Sequence, residues 1–140
     1  MNDSRVTNGP HGRIAVECER DRLAQELFDA LWDRYRRRVE HVAAYERVIA
    51  DAGATFVNDH IAFRTFGWQL PTAGIVSVSR IFETLGYRAA GCYHFPDKHL
   101  GAIHFQHPNG QFPKLFISEL QSWELPETAR EIIGRTVAGH

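Results

Sequence analysis

Read from the amino end, the hydrophobic positions first settle into a helical spacing at Asp21. Leu23, Leu27, Leu31 and Tyr35 recur every four residues, and Phe28 and Trp32 widen that stripe. A second helix is expected from Val39, with Val42, Tyr45, Val48 and Ile49 facing one way and Gly53 as its stop. At Thr55 the period changes. Phe56 to Phe66 is rich in β-branched and aromatic residues, and its centre alternates. Ile61, Phe63 and Thr65 take one face of a strand, and His60, Ala62, Arg64 and Phe66 take the other. A loop through Pro71 leads to a third helix ending at Leu85. Thr72 is its candidate N-cap, and Ile75, Val78, Phe82 and Leu85 form its stripe. Strands follow over about 88–95, 101–107 and 114–120. Pro108-Asn109-Gly110 between the last two predicts a tight hairpin turn with positive φ angles. A last helix starts near Pro126, with Ala129, Ile132, Ile133 and Val137 on its apolar side.

The expected fold is therefore α+β. Residues 1–12 are a flexible tail and 13–140 a single domain, made of a helical lead-in over 21–53, a βαβββ module over 55–120 and a C-terminal helix over 126–137. A lone βαβββ sheet has open edges, which predicts a partner, either a second copy or further sequence.

Composition narrows the picture. At 140 residues there is room for one core, and the net charge of −1 gives no global attraction to nucleic acid or a membrane surface. The basic run Arg34, Arg36, Arg37, Arg38 suits a helix C-terminus. No stretch has the length of a membrane span, and the polar amino end lacks a signal peptide's apolar core. Cys18 and Cys92 make no disulfide framework, so the expectation is a reducing, cytoplasmic setting, with Cys92 buried and inert.

The candidate chemistry lies on the first strand. His60 and Arg64, about 13 Å apart on one face, could hold a metal and clamp a carboxylate around a small anion. The spacing alone favours a strand-capping histidine and a surface ion pair, because two residues are a weak motif. Of His94, His99, His104 and His107, alternation leaves His104 the best placed to join His60. Glu119, on the face of Leu115 and Ile117, is a further candidate ligand; a His and Glu set suits Fe(II), Mn(II) or Zn(II). Trp32 and Trp123 are assigned to packing.

Three segments together carry a more specific signal: Val57-Asn58-Asp59-His60-Ile61-Ala62-Phe63-Arg64-Thr65-Phe66, Tyr93-His94-Phe95-Pro96-Asp97-Lys98 and Phe116-Ile117-Ser118-Glu119-Leu120. From about Leu23 onward the chain resembles the 2-oxoadipate dioxygenase/decarboxylase (hydroxyglutarate synthase) family of the vicinal-oxygen-chelate group. The resemblance implies barrels of paired βαβββ modules, Fe(II) held by two histidines and a glutamate, and conversion of 2-oxoadipate and O2 to 2-hydroxyglutarate and CO2 in lysine breakdown. It makes His60 the first metal-binding histidine and Arg64 the arginine that holds substrate. The other family ligands come from a second module, so this chain matches the amino-terminal part. It is expected to be either a piece of a longer enzyme or a short form completed by dimerisation. The alternatives are a homodimeric glyoxalase-like lyase or isomerase using His60 and Glu119, and a non-catalytic module.

Overall fold

The computed structural model describes residues 9–139, which form two compact units, one ending at Asp59 and the other starting at His60. The boundary between the units falls where the first strand begins.

The first unit contains α1 (Glu19–Arg38) and α2 (Glu40–Asp51), separated by Val39. Charge is arranged along α1 as the macrodipole favours, with Glu19 and Asp21 in the first turn and Arg36, Arg37 and Arg38 in the last. The buried stripe is Asp21, Ala24, Phe28 and Trp32, whereas Leu23 and Tyr35 are about half exposed. This rotates the stripe expected from the four-residue leucine repeat. The rings of Phe28 and Trp32 remove more apolar surface from water, and Ala24 lets the backbone approach closely. On α2 only Val42 is buried, and Tyr45 and Val48 are exposed. Gly53 does follow α2 with a left-handed φ of 67°, where a side chain would be strained.

Residues 1–8 of the expected tail lie outside the described residues, but the rest of it is not loose. His11 is buried, and the Gln25 amide donates to the carbonyls of His11 and Ile14 at 2.9 and 3.2 Å. His11 sits against Phe28 and Trp32, and Asn58 reaches its Nε2 at 3.0 Å. A polar tail segment is held here because its backbone finds internal hydrogen-bond partners.

The second unit runs β1 (His60–Gly67), α3 (Ile75–Thr84), β2 (Arg88–Phe95), β3 (Leu100–Gln106), β4 (Lys114–Gln121) and α4 (Glu127–Ala138). The sheet order is β1-β4-β3-β2; β1 and β4 are parallel and the other pairs antiparallel. The α+β order and the βαβββ module are as expected. Leu115 and Ile117 of β4 are fully buried on the face that α3 covers, where Phe63 meets Phe82 at 5.2 Å and Phe82 meets Tyr87 at 5.9 Å. Burial pushes the Tyr87 phenol's pKa upward, and its hydroxyl donates to the Pro113 carbonyl at 2.8 Å.

Three local expectations need correction. Thr72 does not cap α3: its hydroxyl bonds the Gln69 carbonyl, and the cap position is Gly74, at a φ of 99°. The β3–β4 hairpin forms, but neither Asn109 nor Gly110 has a positive φ. Instead Asn109 Oδ1 accepts from the Gln111 amide at 3.0 Å, so a longer loop is closed by an asparagine side chain. Cys92 is exposed, not buried. It pairs with Ile103 on the helix-side face, but in the edge strand β2, where the cover thins. No helix among the described residues is long and apolar enough to cross a membrane.

Candidate functional site

The face of the sheet turned away from α3 collects the polar groups. Along β1 burial alternates, with His60, Ala62, Arg64 and Phe66 exposed and Ile61, Phe63 and Thr65 partly covered. A strand turns alternate side chains to opposite faces, so the imidazole and the guanidinium leave the same side, about 13 Å apart. The register extends this face across the sheet. Arg64 lies beside Ser118, Ser118 beside Ala102, and Ala102 beside Tyr93. The neighbouring row runs Ala62, Phe116, His104 and Gly91. Arg64 therefore stands at one side of a floor made of small buried residues, Ser118 and Ala102, with Tyr93 at the far side.

His104 shares the face with His60, two strands away, or roughly 10 Å across the sheet. It is held there. Tyr93 Oη lies 3.0 Å from Nδ1, and the Tyr93 ring packs on both His104 and Phe116 at 5.8 and 5.7 Å. Gly91, at the bulge of β2, makes this possible, since a Cβ there would come within 2.9 Å of the imidazole. The contact of Tyr93 and Gly91 with His104 is not legible in the sequence, because the partner lies on another strand. The alternation of β2 could have put Tyr93 and Gly91 together, but not opposite His104.

Glu119 is on the other side. It pairs in register with Thr65, one residue out of phase with Arg64, and its Oε2 accepts the Ile75 amide at 2.8 Å. The candidate ligand is thus the anionic cap of α3, supplied by a strand, and cannot meet His60 through the sheet. The other three candidate histidines, His94, His99 and His107, have local partners. His107 is buried, accepting the Asn109 amide at Nδ1 and bonding the Leu85 carbonyl through Nε2, each at 3.0 Å. His99, at a φ of 51°, pairs with Glu124 at 2.8 Å, and His94 bonds Gln121 at 3.2 Å. Among the described residues no group of three or more His, Cys, Asp or Glu could hold a metal ion. The residues present therefore do not make a complete metal centre, and His60 offers one ligand at most.

With this geometry in place, likeness to known proteins becomes informative. The profile of the 2-oxoadipate dioxygenase/decarboxylase family matches residues 19–140. The chain belongs to this family. Among its relatives, the chloroplastic 2-oxoadipate dioxygenase/decarboxylase of Arabidopsis thaliana is 35% identical over 145 aligned residues, covering 95% of this chain and 38% of that protein. The chloroplastic/amyloplastic enzyme of Oryza sativa subsp. japonica is 36% identical over 89 residues, or 56% of this chain and 24% of that one. The hydroxyglutarate synthase of Oryza sativa, solved in complex with 2-oxoadipate, superposes with a TM-score of 0.81 at 27% identity, over 89% of this chain and 43% of that one. A glyoxalase superfamily protein from Ralstonia eutropha JMP134 gives a TM-score of 0.77 at 27% identity, over 87% and 41%. The chain spans under half the length of these relatives, and its βαβββ unit has the layout their likeness implies.

Proposed function

We propose that this chain supplies the substrate-clamping part of a non-haem Fe(II) dioxygenase/decarboxylase that converts a 2-oxo diacid, 2-oxoadipate, and O2 to 2-hydroxyglutarate and CO2, a step of lysine breakdown. The observation that carries the reading is the shared face of His60 and Arg64 on β1. Family membership supports it, as does the similarity to a synthase whose structure holds 2-oxoadipate. Arg64 binds one carboxylate of the diacid through the two parallel N–H donors of its fork, and this sets which end of the substrate faces the reacting centre. His60 would be the chain's one ligand to iron, which when bound supplies the oxidising chemistry; Mn(II) and Zn(II) are the other metals an imidazole and carboxylate set accepts. The remaining ligands come from a second module or a second copy. A homodimer built on His60 and Glu119 is disfavoured, because Glu119 is engaged with α3 on the opposite face. The two exposed free thiols, Cys18 and Cys92, fit a reducing compartment such as the cytoplasm.

Titration calorimetry with 2-oxoadipate on the wild type and on Arg64→Ala tests the clamp. We expect wild-type binding to weaken roughly 30-fold in the variant, about 2 kcal/mol, the lower end for loss of a paired charge at a binding surface. Binding equal in the two proteins, or absent from both, would remove Arg64 from the site and the proposal with it.

A further inference from the structure

The first unit has a concave surface of its own, independent of the sheet and of the reading just given. We propose that it is a binding site for a small dianion, a dicarboxylate or a phosphate monoester. The cavity holds about 490 Å³ and is lined by Arg13, Arg36 and Arg47, with Glu46 and an apolar side that includes Phe56 and Ala50. Three arginines against one glutamate leave this lining formally +2, in a chain whose net charge is −1. The one carboxylate is already engaged. Glu46 Oε1 accepts the Trp32 indole N–H at 2.8 Å, and its Oε2 lies 3.0 Å from Arg36 Nε. Those contacts fix the Arg36 fork by its Nε edge, while the Arg13 fork is steadied by Nη1 donating to Thr55 Oγ1 at 2.7 Å.

Guanidinium groups held in place lose less rotamer freedom on binding than free ones, and their planar forks match carboxylate and phosphate oxygens. The volume is that of a small-molecule site, and an apolar wall opposite the charges suits a ligand with a short carbon body. The basic run of α1 is also divided in function by the fold. Arg37 turns back to Asp33 of its own helix at 3.7 Å, whereas Arg36 lines the cavity.

The test is an NMR titration of the isotopically labelled full chain with inorganic phosphate and with glutarate, each at constant ionic strength against sodium chloride. The expected result is saturable shifts at the Arg36 and Arg47 Nε–H groups and at Phe56. The apparent Kd should rise at least fivefold in Arg47→Gln and stay unchanged in Arg38→Gln. Saturation by phosphate alone assigns phosphate esters, by glutarate alone dicarboxylates, and by both a general dianion site. Shifts that grow without saturation, that chloride reproduces, or that Arg38→Gln reduces as much as Arg47→Gln does would overturn the assignment and leave only a solvated basic surface.

Discussion

At Arg64 the chemistry of the side chain, more than its charge, decides what the open sheet face can hold. A guanidinium presents two parallel donors to a carboxylate, whereas an ammonium presents a point charge. Arg64→Lys is therefore expected to recover little of the binding lost in Arg64→Ala, remaining at least tenfold weaker than wild type for 2-oxoadipate by calorimetry. Gly91 is the second residue whose identity is dictated by a neighbour. A methyl group there would press within 2.9 Å of the His104 ring and displace it from Tyr93. Gly91→Ala is expected to cost about 1–2 kcal/mol of stability, as overpacking does. It should also shift the His104 ring nitrogen resonances, while Tyr93→Phe shifts those resonances with a smaller loss of stability. If neither variant moves the His104 signals, the Tyr93–His104 contact does not persist in solution.

The helix α3 depends on a group from outside its own segment. No side chain near its start caps it: Gly74 has none, and Thr72 is turned to the Gln69 carbonyl. Glu119 of β4 fills the role, bringing both an acceptor and a negative charge to the first turn. Glu119→Ala is expected to destabilise the second unit by about 1 kcal/mol, with faster amide exchange at Ile75 and the rest of the first turn. Glu119→Gln keeps a carbonyl oxygen and should lose less. Metal content should not respond to either change, which separates this capping role from metal ligation.

The pH dependence of the whole molecule has one source in the first unit. In the first unit burial lowers the His11 pKa from 6.5 to about 4. Because this folded-state value lies below the unfolded one, the unfolded chain takes up the proton first as the pH falls. Stability from the neutral ring is complete above pH 6.5 and is lost progressively between 6.5 and about 4. Protonation also opposes the contact in which Asn58 reaches Nε2, while Asp29, 3.4 Å from Nδ1, pulls the other way. The expected loss in the first unit by pH 5 is up to about 2 kcal/mol, read by denaturant unfolding at pH 7 and pH 5. The same comparison in His11→Gln should be flatter; equal pH dependence in the two proteins would show that His11 is not the titrating group. In the second unit the α+β order, the bounds of β2, β3 and β4 to within a residue, and the common face of His60 and Arg64 were legible in the chain itself, because alternation is a local property of each strand; β1 starts at His60, four residues later than the apolar run that begins at Phe56. What local periodicity could not decide was relative placement. Which of two adjacent stripes α1 buries depends on what packs against it, and this turned the helix from Leu23 toward Phe28. Whether Glu119 faces His60 depends on the register between β1 and β4, set by residues more than fifty positions apart; that pairing sent the carboxylate to α3, and the β3–β4 and β2–β3 registers put His104 and Tyr93 on the side of Arg64. Side-chain period belongs to the sequence, but register and packing partners are long-range properties that the folded chain fixes by burying apolar surface and satisfying its buried polar groups.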